Sequence, residues 1–113
     1  MNPSIELLRQ LIHAQNGSAE LDEAIAFQLG YAKNGQSWSR PDGAILKSLP
    51  KFTTEVQAAL DLAMASLKPN SGGVSWEQGL ASAAINGGKI YQARSPACAL
   101  CIATIATLVT TSG

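Results

Sequence analysis

Apolar residues recur at helical spacing near the start of the chain, where Ile5, Leu8, Leu11 and Ile12 alternate with Glu6, Arg9 and Gln10. That period predicts an amphipathic helix from Pro3 to Gln15, with Pro close to its first turn and Asn16-Gly17 as its stop. Ser18 then caps a second helix, Ala19 to Leu29. Its first turns carry Glu20, Asp22 and Glu23, where the helix dipole favours negative charge, and Gly30 follows as the terminating glycine. From Tyr31 the period changes. "YAKNGQSWSRPDG" sets Asn34-Gly35 between short segments bearing Tyr31 and Trp38, a strong hairpin signal, and Arg40-Pro41-Asp42-Gly43 reads as a second turn.

The helical period returns at Thr54, which is expected to form a capping box with Gln57 while Phe52 staples the helix start. Val56, Leu60, Ala63, Met64 and Leu67 form the expected buried stripe, and Pro69 marks the end. "NSGG" reads as a flexible turn. "VSWEQGLASAAINGGKIYQARS" alternates loosely around Asn86-Gly87-Gly88, which predicts a hairpin with Ile85, Ile90 and Tyr91 beside the turn. Ser95-Pro96 is a cap followed by Pro at the first helical position, opening a helix to about Thr110 that is apolar nearly all round. A helix with no polar face must be buried against a sheet and a neighbouring helix. The order helix, helix, hairpin, helix, hairpin, helix predicts an α+β fold in which a small antiparallel sheet is sandwiched between helices.

A length of 113 residues fits one domain, and apolar residues at 46% fit a globular one. Charged residues reach only 14%, so Ser, Thr, Asn, Gln and Gly must finish the surface. Eight basic and eight acidic residues cancel, which removes the positive field needed for broad nucleic-acid binding or polybasic membrane attachment. The longest apolar run, Ala97 to Val109, is broken by Thr104 and Thr107 and falls short of a bilayer span, so no membrane association is expected. The amino terminus lacks the charge and apolar core of a secretory signal, which predicts the cytoplasm of whatever cell makes the protein.

The chemistry in question is Cys98-Ala99-Leu100-Cys101. Redox work requires a thiol exposed at a helix amino end, where its pKa falls, and Cys98 does lie in a first turn. Its flanks are Ala97, Ala99, Leu100 and Ile102, however, and buried free cysteine packs as a small hydrophobe. A metal needs further ligands, and the chain has no third cysteine and a single histidine, His13, in a distant helix. The pair therefore reads as packing, with neither metal nor cofactor expected. No paired carboxylates, nucleophile elbow or phosphate loop is present: "NSGG" and "NGGK" lack the spacing of the last.

The stretches "AELDEAIAFQLGYAKNGQSWSRPDG", "LPKFTTEVQAALDLAMASL", the following Trp-bearing strand with its hairpin, and "SPACALCIATIATL" together resemble the phage ABA sandwich domain family over roughly Ser18 to Val109. Cys101 matches the family's usual cysteine in its closing helix, whereas Cys98 stands where a small or aliphatic residue is common. The resemblance implies a small sheet with helices on both faces and a phage or prophage source, and it transfers no active site. Residues 1–17 precede the resembling region, so they are expected to be an added amphipathic helix beside a single domain of residues 18–113. That helix is either core cover, a docking surface or a homodimer contact.

These features lead to a non-enzymatic phage accessory protein that binds a host protein. The expected target is a bacterial defence complex such as a CRISPR effector, held by aromatic and arginine anchors. The alternatives are an oligomeric sponge for a small nucleotide and a virion structural protein. Candidate binding residues are Trp38, Trp76, Arg40, Lys89 and Arg94, since aromatic faces stack on bases and cations meet phosphates.

Overall fold

A computed structural model describes residues 3–69 and 71–111. Helix α1 (Ile5–Ala14) and helix α2 (Ala19–Gln28) lead into strands β1 (Ala32–Asn34), β2 (Ser37–Ser39) and β3 (Ile45–Leu46). Helix α3 (Val56–Leu67), strands β4 (Gly72–Glu77), β5 (Leu80–Ile85) and β6 (Tyr91–Ala93), and helix α4 (Pro96–Thr111) complete the order. The fold is α+β, with helices packed against antiparallel sheet. The described strands form two three-stranded meanders, sheet A (β1-β2-β3) and sheet B (β4-β5-β6).

Helix α4 is the hub. It packs on all three strands of sheet B and on α3 and α1, so every residue from Ala97 to Ala106 is buried. Apolar character around the whole helix is explained by neighbours on several sides. Three of its threonines satisfy themselves: the hydroxyls of Thr104, Thr107 and Thr110 donate to the carbonyls of Leu100, Ala103 and Ala106 at 2.8, 2.7 and 3.0 Å. Beneath it β5 turns Ala81, Ala83 and Ile85 inward, and small side chains there let helix and sheet approach closely.

Helix α1 is part of this core, burying Leu7 and Leu11 and packing on α4. The expected stripe is therefore rotated: Leu11 is buried and Leu8 half-buried, while Ile5 and Ile12 face solvent. Its stop also differs. Gln15, at φ 63°, takes the left-handed position, its N–H bonded to the Leu11 carbonyl at 3.3 Å. Gly17 serves another purpose, because a Cβ there would lie 2.0 Å from the Thr53 carbonyl oxygen. Helix α2 ends as its sequence suggests, with Gly30 at φ 93° and the Tyr31 N–H bonded to the Ala26 carbonyl at 2.9 Å.

Three local expectations are corrected. Helix α3 is capped by Glu55 without a side-chain bond, and the Thr54–Gln57 capping box does not form. Residues 51–54 are wound into a turn, with the Glu55 N–H on the Lys51 carbonyl at 2.9 Å, and Gln57 reaches forward to Asp61 at 2.9 Å. The buried face of α3 is Ala59, Leu62 and Ala63; of the expected stripe, Val56, Leu60 and Met64 are exposed. The expected turn at residues 70–73 is also displaced, for Gly72 and Gly73 open β4, while Asn70 lies outside the described residues.

Both expected hairpins form. The first turns at Gly35-Gln36, one residue later than an Asn-Gly centre, with Gly35 at φ 64° in the first central position as a type II′ turn requires. The second turns at Asn86-Gly87, both at positive φ, but Ile90 lies in the loop and not on β6. Strand β3 and the β4–β5 turn at Gln78-Gly79 were not foreseen.

Candidate functional site

A concavity of about 680 Å³ opens where the end of α2, sheet A, residues 50–55, α3 and the end of α4 meet. Leu29, Leu46, Phe52, Leu62 and Leu108 give it an apolar floor, and Tyr31, Arg40, Asp42, Glu55 and Asp61 give it a polar rim. Phe52 is held there from three directions. Its ring meets Tyr31 edge-on with centroids 5.7 Å apart, its carbonyl accepts the Cys101 thiol at 3.0 Å, and the next residue is bound to α2.

That binding is a buried polar latch. The Asp22 carboxylate accepts the Thr53 N–H at 2.8 Å and the Thr53 hydroxyl at 2.6 Å, and the Thr53 oxygen in turn accepts the Ser18 N–H at 2.9 Å. Asp22 is buried, which is tolerable for a carboxylate whose Oδ1 receives two such donors. The latch fixes one wall of the concavity and was not foreseen. Its trace in the sequence is that Asp22 falls in phase with Ile25, Ala26 and Leu29, an acid on a helix's inward face.

The rim is close to electrically closed on one side. Arg40 and Asp42 form an ion pair that includes a bond from Arg40 Nε to Asp42 Oδ1 at 3.2 Å, and the Ala44 N–H donates to Asp42 at 3.0 Å. The Arg40 hydrogen bond holds the Asp42 carboxyl below the usual carboxylate range, and the same bond raises the Arg40 guanidinium. Burial pushes the Tyr31 phenol up. With Arg40 engaged by Asp42, the remaining charged lining residues, Glu55 and Asp61, are acidic. An anionic ligand finds repulsion on that side.

The five sequence-derived binding residues do not converge. Trp38 is only 5% exposed on β2, packed against Phe27 with centroids 5.2 Å apart and with Lys33 Nζ 5.7 Å from its ring. Its faces are thus occupied by neighbours instead of being offered to a base. Arg40 sits on the rim of the concavity. Trp76 lies at the far end of β4, 70% exposed, and the register of sheet B puts it at the same end as Arg94. Lys89 is in the turn at the opposite end, its Nζ 5.9 Å from the Tyr91 ring.

Both cysteines are buried in α4, and burial pushes both thiols up, the reverse of what a nucleophilic thiolate requires. Cys98 donates its N–H to the Ser95 hydroxyl at 3.2 Å as part of the helix cap. Among the described residues no group of three or more His, Cys, Asp or Glu side chains is placed to hold a metal ion, and no helix is long and apolar enough to cross a membrane.

No protein-family model matches the chain, and no curated protein or solved structure matches it. The resemblance to phage ABA sandwich proteins rests on the quoted stretches of sequence alone.

Proposed function

We propose that the chain is a non-enzymatic protein-binding factor whose contact surface is the outer flank of α3. One observation carries this reading: Val56, Leu60 and Met64, spaced four apart, stand in a row on the helix with 43%, 42% and 52% of their surfaces in solvent. Such a row runs about 12 Å along a helix and matches the way an apolar helix face is received by a groove on a partner. Three large apolar side chains aligned on one exposed flank have no role in this chain's own core, which α3 serves with Ala59, Leu62 and Ala63. Met adds adaptability at such a surface.

The partner class that accompanies the phage resemblance is a bacterial defence complex, of which a CRISPR effector is the leading case. The chain would act stoichiometrically, by occupying a surface the effector needs. The experiment is plating of a targeted phage on cells that carry an active effector and express this chain. Plating is expected to rise with the wild-type chain and to return to the restricted level with Leu60→Glu, at unchanged melting temperature. Failure of the wild-type chain to relieve restriction in any effector tested would overturn the defence assignment; full relief by Leu60→Glu would overturn the assignment to α3.

A further inference from the structure

Strand β4 is an edge of sheet B, paired with β5 on one side. The Asn86 N–H bonds to the Ser71 carbonyl at 2.8 Å, and backbone groups alternate from side to side along a strand. Ser71, Gly73, Ser75 and Glu77 therefore direct their groups at β5, and Gly72, Val74 and Trp76 direct theirs away from it. Among the described residues no backbone group meets these three. The edges of natural sheets are guarded by lysine, proline, a bulge or a covering segment. Strand β6, the other edge, is three residues long, and just past its end the Arg94 N–H bonds to the Gln15 carbonyl at the carboxyl end of α1 at 3.0 Å. Strand β4 is six residues long, and Gly72 to Trp76 contains no charge and no proline.

We propose that β4 pairs with β4 of a second copy of this chain, antiparallel about a two-fold axis through Val74, to join two sheets B into one. The register is set by shape. With Val74 opposite its own copy, Trp76 lies across from Gly72 of the second chain, and Gly72 across from Trp76. A glycine on one strand leaves room for an aromatic ring on the other, the arrangement by which edge glycines are shielded in β-sheets. In the same register Ser75 faces Gly73 and Glu77 faces Ser71, so no like charges meet. Gly72, Val74 and Trp76 then all fall at hydrogen-bonded positions, and each exchanges both backbone bonds with its opposite. Trp76, largely in solvent in one chain, gains cover. The net charge of zero leaves no long-range repulsion between copies.

The test is the mass of the wild-type chain by sedimentation over a dilution series, beside Val74→Pro and Trp76→Lys. Val74→Pro removes an N–H that its own sheet does not use, and Trp76→Lys places a charge on a solvent-exposed position. The wild type is expected at twice 11.8 kDa and both variants at 11.8 kDa. The register is tested by Val74→Cys, because facing hydrogen-bonded residues stand about 5.5 Å apart at Cα, within disulfide range. Val74→Cys is expected to cross-link under mild oxidation and Trp76→Cys to remain uncrosslinked. A wild type that is monomeric throughout, a dimer that survives Trp76→Lys, or cross-linking of Trp76→Cys in place of Val74→Cys would each overturn the proposal.

Discussion

Sheet B lays Ala81, Ala83 and Ile85 beneath the wall of α4, whereas sheet A, among its own strands, buries Trp38 alone and leaves Ile45 in solvent. The two are alike in strand number and antiparallel order, yet different forces hold them. Sheet B is held by close packing, so its stability is spread over many small contacts with α4. Sheet A and the neighbouring 50–55 segment are held at a few points: the Asp22–Thr53 latch, the Phe27–Trp38 and Tyr31–Phe52 ring contacts and the Cys101–Phe52 bond. A half built on few points is sensitive to single polar changes; a half built on packing is sensitive to volume.

Ile105→Ala is expected to cause the largest loss, since Ile105 is wholly buried in α4 and its removal leaves a cavity at the hub. Thermal or denaturant unfolding should show destabilisation of about 2–5 kcal/mol, with both halves lost together. Asp22→Ala leaves the Thr53 N–H without its acceptor and the Thr53 hydroxyl with only the Ser18 carbonyl, 3.1 Å away, and should cost about 1.5–3 kcal/mol. Unlike the first change, it should loosen sheet A and residues 50–55 ahead of sheet B, and Asp22→Asn, which keeps an acceptor oxygen, should recover part of the loss.

The buried thiols give a pH signature. Burial raises both thiols above their unfolded values, so the stability they contribute is complete below the unfolded pKa of about 8.5 and is lost as pH rises through the raised folded values. Denaturant midpoints should therefore fall above about pH 8.5, with a slope of up to about 1.4 kcal/mol per pH unit for each thiol. The Cys98→Ala, Cys101→Ala double variant should flatten that arm. The smallest effect belongs to Ser18→Ala, which removes the acceptor for the Leu21 N–H at the start of α2 and should cost about 1 kcal/mol, measured by the same unfolding curves.

Much of this architecture is legible in the sequence, in proportion to how locally it is determined. Ser18, Gly30, Asn86-Gly87 and Ser95-Pro96 act through bonds within a few residues of themselves, and each sits where its chemistry indicates. The all-round apolar character of α4 likewise announces its burial. What the pattern misses is set by distant partners. Periodicity shows that Ile5, Leu8 and Ile12, or Val56, Leu60 and Met64, share a helix face, but whether that face turns inward depends on where α4 lies. Thr54 has the local credentials of a cap, yet Asp22 takes hold of Thr53 and fixes residues 51–54 as a turn. For the candidate site, Arg40 belongs to the concavity, but its pairing with Asp42, the burial of Trp38 and the separation of Trp76 from Lys89 follow from tertiary placement, to which single-residue chemistry is blind.

The difference between the halves is tested most directly by native-state hydrogen exchange of the wild type and Asp22→Ala, resolved residue by residue. In Asp22→Ala the amides of β1, β2 and residues 51–55 should lose protection by a larger factor than those of β5 and of α4, which should follow the global stability alone. An equal loss of protection across both sheets would contradict the account, because it would mean that packing under α4 and the polar latch belong to one indivisible unit.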